Sequence, residues 1–105
     1  VIDCGTAIHP DGIVAQMESA VAFGLSAALQ GRITVAHGQI QQSGFADYPV
    51  VRMRDMPQVR VEIMPSSAPP GGVGEPGTPP VAPAVANAWF ALTGQRLRSL
   101  PLMPA

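Results

Sequence analysis

Apolar residues recur at Ile13, Met17, Val21, Leu25 and Ala28, a spacing that puts one apolar face on a helix over 13–29. A second face beside it holds Gln16, Ala20, Phe23, Gly24 and Ala27, and its mostly small side chains leave room for something large. Asp11 stands where it can cap this helix, and Gly31 where it can end it. The runs 32–36 and 39–43 flank His37-Gly38, a two-residue hairpin signal. Residues 59–63 alternate apolar and charged, which reads as a half-buried strand with Arg60 and Glu62 outward. Val81, Val85, Ala88, Trp89 and Leu92 give a second amphipathic helix, opened by Thr78 as cap with Pro79 and Pro80, and closed by Gly94. The pattern predicts an α+β chain with two main helices, a β-hairpin and additional short strands.

Between the last strand and the second helix the pattern stops. Eleven of the nineteen residues at 65–83 are Pro or Gly, with Glu75 as the lone charge. Such stretches commonly serve as linkers. This one lacks a linker's charged residues and runs straight into an apolar helix. It therefore reads as a loop of defined shape. Residues 72–77 match G-x-G-x-x-G, but no strand precedes them directly and no acidic residue follows Glu75. A dinucleotide fingerprint needs both. Pro76 with Pro79, and Pro80 with Pro83, also fit P-x-x-P, so a proline-rich protein-interaction segment is the alternative reading.

Composition adds a constraint. Only 12% of the 105 residues are charged, against about 25% in ordinary soluble domains. A domain this small exposes much of its surface. The expectation is that other protein or a large cofactor covers part of it. The chain starts at Val1, inside a strand-like run, and is expected to be a piece of something longer. The six cations are all arginine and form no dense basic cluster, which argues against nucleic-acid binding. One cysteine, Cys4, makes neither an intrachain disulfide nor a metal cluster, and reads as a small buried hydrophobe. His9 and His37 lack ligand spacing, so no metal ligand is assigned. No uninterrupted apolar run reaches the length of a membrane span. Periodicity alone reads Gln16 as a solvated or core-satisfied amide.

Three stretches together resemble the C-terminal part of the molybdopterin-binding large subunit of the xanthine dehydrogenase and aldehyde oxidoreductase family, above all the isoquinoline 1-oxidoreductase type. They are Asp3-Cys4-Gly5 with His9-Pro10-Asp11-Gly12 and Gln16-Met17-Glu18; Ala68 through Pro76; and Pro79–Ala91 with Thr93 through Pro101. Two positions depart from the family pattern: Ser19 stands for the usual glycine and His9 for the commoner asparagine. The resemblance implies that residues 1–105 are an incomplete molybdopterin-binding domain with an active-site loop at 68–78. It implies molybdenum on a molybdopterin cytosine dinucleotide, and hydroxylation of an N-heterocycle or aldehyde with water as oxygen source. Glu75 then matches the family's general base, expected to be buried. Gly71, Gly72, Val73 and Gly74 would approach the cofactor, and Gln16 would hydrogen-bond it. The implied partners are the remainder of the subunit and a small iron–sulfur subunit, with no nucleic acid and no membrane span. The piece alone is expected to be inactive.

Overall fold

A computed structural model describes residues 1–102. The order of elements is α1 (Pro10–Leu29), β1 (Val35–Ala36), β2 (Gln39–Ile40), a 3-10 turn (Met53–Asp55) and α2 (Val81–Thr93). This is the α+β class that the pattern predicts.

α1 starts three residues earlier than the apolar spacing indicated, and its cap is not Asp11. His9 takes the cap position: the Gly12 N–H donates to His9 Nδ1 at 2.8 Å. Pro10 follows in the first turn, where a missing N–H leaves nothing unpaired. Asp11 lies in that turn, where a carboxylate favours the positive end of the helix dipole. The ring nitrogen thus does the work that an asparagine side-chain oxygen does at a helix cap. His9→Asn is therefore expected to keep the Gly12 amide protected from hydrogen exchange. His9→Ala should speed that exchange about fivefold, the equivalent of a lost cap at ~1 kcal/mol. Equal protection in both variants would refute the capping role.

The hairpin forms as expected. Val35 pairs with Ile40 and Ala36 with Gln39, antiparallel, around His37-Gly38, both at positive φ. Two further bonds extend the pairing: Gln41 N–H to Thr34 O, and Thr34 N–H to Gln42 Oε1. The next loop is held by Asp47, which accepts N–H bonds from Ser43 and Gly44. The Ser43 bond, then the Gly44 bond, holds its carboxyl below the usual aspartate value.

The stretch 59–63 shows the predicted alternation. Val59, Val61 and Ile63 are half-buried, while Arg60 and Glu62 are exposed and pair at 3.1 Å. The additional strands reduce to one parallel bridge, Ile2 with Ile63. Its bonds run from Ile2 N–H to Glu62 O and from Met64 N–H to Ile2 O. Ile2, Cys4 and Ile13 form a buried cluster there, flanked by Ala7, Met17, Val61, Ile63 and Val73.

α2 packs on α1, but by its first turn. Val81 is its one buried residue, while Leu92 near its far end is 82% exposed. Thr78 is not the cap; Pro80 holds that position, and the Thr78 hydroxyl instead donates to the Ala20 carbonyl of α1. Gly94 ends α2 in the left-handed conformation, with its N–H on Phe90 O. The tail then returns to α1: Leu102 is buried and its N–H donates to Ala28 O at 2.7 Å.

The chain does not close on itself. Its surface is 7697 Å², where a compact protein of this mass would expose about 5,600 Å². Its radius of gyration is 16.5 Å, against about 13 Å for a compact chain of this length. Phe23, Phe45, Met53 and Leu92 stand largely exposed. Apolar surface of that extent marks a face made to be covered. By length and composition α1 could cross a membrane. It carries two acids, Asp11 and Glu18, and it buries Ile13, Ala20, Gly24, Leu25 and Ala28 against the rest of the chain.

Candidate active site

The glycine loop is positioned by the first six residues. Thr6 N–H and the Thr6 hydroxyl both donate to Ala68 O, at 2.9 and 3.0 Å. Gly71 N–H donates to Cys4 O at 2.8 Å. Between these contacts sits Gly5, at φ +70, with its N–H on Asp3 Oδ1. A Cβ there would collide with the Pro69 carbonyl oxygen and stand 2.9 Å from Ala68 O. Only glycine satisfies both the backbone conformation and this approach.

The far end of the loop is fixed on α1. Glu75 O accepts the Thr78 N–H at 2.9 Å, closing a turn with Pro76 at its second position. A Cβ on buried Gly77 would lie 2.9 Å from Ala20 Cβ and 3.0 Å from Met17 Cε. A Cβ on Gly24 would lie 2.6 Å from Val81 Cγ2 and 2.9 Å from Thr78 O. So the space offered by Ala20 and Gly24 is filled by this chain's own residues 77–81. Gln16, Phe23 and Ala27, on the same side of the helix by periodicity, remain exposed.

Three of the expected cofactor residues meet in one cleft. Gln16, Gly71 and Val73 line a cavity of about 320 Å³ together with Cys4, His9 and Ile13. Gly72 and Gly74 are exposed beside it, and a Cβ on either meets nothing within 4 Å. Among the described residues, the N–H groups of Gly72, Val73 and Gly74 and the Gln16 carboxamide have no protein partner. This is a set of unpaired donors on an uncluttered backbone. It fits an oxygen-rich anionic group such as a pterin phosphate.

Glu75 differs from its expectation. It is exposed, it lies outside the lining of that cleft, and its carboxylate has no ion pair among the described residues. Burial of this group takes surface that residues 1–102 do not supply. No three His, Cys, Asp or Glu residues come together among the described residues. The P-x-x-P runs are not extended: Pro76 sits in the turn, Pro80 caps α2 and Pro83 lies inside it. Gly5 stood in the sequence only as part of the Asp3-Cys4-Gly5 stretch, with no sign that it seats the glycine loop. Pattern reading also missed His9 as the cap.

The family model of the molybdopterin cofactor-binding domain matches residues 1–57. The isoquinoline 1-oxidoreductase subunit beta of Brevundimonas diminuta is 44% identical over 104 residues, which are 99% of this chain and 13% of the relative. The membrane-bound aldehyde dehydrogenase (pyrroloquinoline-quinone) of Gluconacetobacter polyoxogenes is 40% identical over 105 residues, all of this chain and 14% of the relative. The crystal structure of the Cu,Mo-CO dehydrogenase in its carbon monoxide reduced state superposes with a TM-score of 0.80 at 22% identity, over 96% of this chain and 14% of that one. The chain thus spans about one seventh of the length of the proteins it matches, and the last comparison speaks for the fold. With the Gln16 cleft and the glycine loop held between residues 2–6 and α1, the family match is sufficient: the chain belongs to the molybdopterin cofactor-binding domain family.

Proposed function

We propose that residues 1–105, with the loop at 68–78, form one wall of the active site in the large subunit of a molybdenum hydroxylase. The convergence of Gln16, Gly71 and Val73 on one cleft, bordered by free donors at Gly72 and Gly74, is the observation that supports this reading most. Residues 103–105 of that span lie outside the described structure. When bound, a molybdopterin cytosine dinucleotide supplies the two-electron oxidation of an N-heterocycle or aldehyde carbon, with water as the source of oxygen.

This chain's residues supply holding and proton transfer. The N–H groups of Gly72, Val73 and Gly74 donate to anionic oxygens of the cofactor, and the Gln16 carboxamide adds a hydrogen bond from α1. Glu75 accepts, on a carboxylate oxygen, the proton released as oxygen is added to the substrate carbon. The turn at 75–78 sets its reach, because that turn is tied to α1 through Thr78 and Gly77. Electrons leave through a separate small iron–sulfur subunit, as the family resemblance implies; Cys4, the one cysteine of residues 1–105, holds no cluster.

One relative's name invokes pyrroloquinoline quinone, so the test must separate the two cofactors. The full-length protein, purified with its partners, is expected to contain molybdenum and iron and to release cytidine monophosphate on acid hydrolysis. Gln16→Ala should lower molybdenum content while the isolated apoprotein keeps its helical circular dichroism. A protein that binds the quinone and holds no molybdenum overturns the proposal.

A further inference from the structure

Three of the chain's six cations line one cleft far from the glycine loop. Arg32, Arg96 and Arg98 line a cavity of about 520 Å³, with Leu97, Ser99 and Leu100. No acidic residue lines it, and among the described residues none of the three arginines has a carboxylate within salt-bridge distance. The chain's ion pairs are elsewhere, at Arg54–Asp55 and Arg60–Glu62. The cleft is built, not frayed. Arg96 stacks on the Phe90 ring at 3.5 Å, the segment leaves the Gly94 cap of α2, and Leu102 ties its other end to Ala28. Ala28 lies twelve residues along α1 from Gln16, about 18 Å at the helical rise. This cleft is therefore separate from the proposed cofactor wall.

We infer that the Arg32–Arg96–Arg98 cleft is the docking site for an acidic segment supplied by the rest of the same polypeptide. The inference rests on the reading of the chain as one part of a longer subunit. Three observations select this occupant. The charge lining this cleft is of one sign and, among the described residues, meets no carboxylate at salt-bridge distance, and guanidinium groups pair with carboxylates in two-point contacts. Leucines lie between the arginines, which suits a peptide with apolar side chains better than a free anion. The chain exposes about 2,000 Å² more than a compact protein of its mass, and its relatives have some seven times its length with which to cover it.

Residues 1–105 contain no lysine, so within this stretch each introduced side-chain amine is unique. In the full-length protein, Arg96→Lys and Arg98→Lys keep the charge and add an amine. A carbodiimide then joins that amine to any carboxylate in contact with it. Peptide mapping is expected to find links from positions 96 and 98 to Asp or Glu outside 1–105, about tenfold or more above the yield from Arg52→Lys. Arg60→Lys serves as the positive control through Glu62. No links, or links only within 1–105, overturn the inference. So do links abolished by millimolar pyrophosphate, which would assign the cleft to a phosphate ligand. The outcome is independent of the cofactor: links in a molybdenum-free protein would uphold the docking and sink the hydroxylase reading, and a loaded enzyme without links the reverse.

Discussion

Glu75→Gln in the full-length protein is expected to leave cofactor content near wild type and to lower turnover by about 10²–10⁴, the usual contribution of a positioned general base. The structure makes this substitution a clean one. The Glu75 side chain holds nothing in place: it is exposed and has no ion pair or hydrogen bond among the described residues. The turn it sits on is fixed by backbone and neighbours, through Thr78 N–H on Glu75 O and Gly77 against Ala20 and Met17. Glutamine keeps the shape and removes the proton acceptor. The loss should fall on kcat and on kcat/KM together, since the interaction develops on the way to the transition state. Glu62→Gln is the control, because its exposed pair with Arg60 contributes at most about 1 kcal/mol. Asp47→Asn is a poorer control, since Asp47 holds the Ser43 and Gly44 amides of its loop. A Glu75→Gln enzyme with full cofactor and near-normal kcat sinks the catalytic assignment.

Gly5→Ala should detach the glycine loop. A left-handed conformation costs an L-residue about 1–2 kcal/mol. The added Cβ also meets backbone, the carbonyls of Ala68 and Pro69, which cannot swing aside as a side chain can. Relief means moving 68–71 away and losing the Thr6–Ala68 and Gly71–Cys4 bonds, each about 1 kcal/mol. Together these reach roughly 3 kcal/mol, so hydrogen exchange at the Thr6 and Gly71 amides should accelerate about 10²-fold. Gly72→Ala and Gly74→Ala are the contrast. Neither residue is in the left-handed region and neither has a neighbour within 4 Å, so both should keep the exchange pattern of wild type. Loss of molybdenum in those two variants, without loss of protection, would separate cofactor contact from fold. Unchanged exchange in Gly5→Ala would show that the loop is held some other way.

What the sequence determined is local. The helix periods, the Gly94 stop, the His37-Gly38 hairpin and the outward Arg60 and Glu62 all depend on residues within a few positions of one another. Backbone sterics and side-chain alternation fix these without reference to the rest of the chain. The low charge fraction also foretold a surface that does not close on itself, and the family resemblance rested on motifs visible in the residues. What only the tertiary structure decided involves partners far apart along the chain. Thr6 meets Ala68 across 62 residues, and Thr78 meets Ala20 across 58. The small residues Ala20 and Gly24 signalled a close approach, but not by what; the chain's own residues 77–81 fill that place, and Gly71 and Val73 of the loop share a cleft with Gln16 instead. Burial of Glu75 was expected from the resemblance, yet burial belongs to whatever packs on a residue, and residues 1–102 place nothing on this one. Periodicity records which way a side chain points on its own element. Which distant backbone it then meets is set by packing, and packing is a property of the assembled chain.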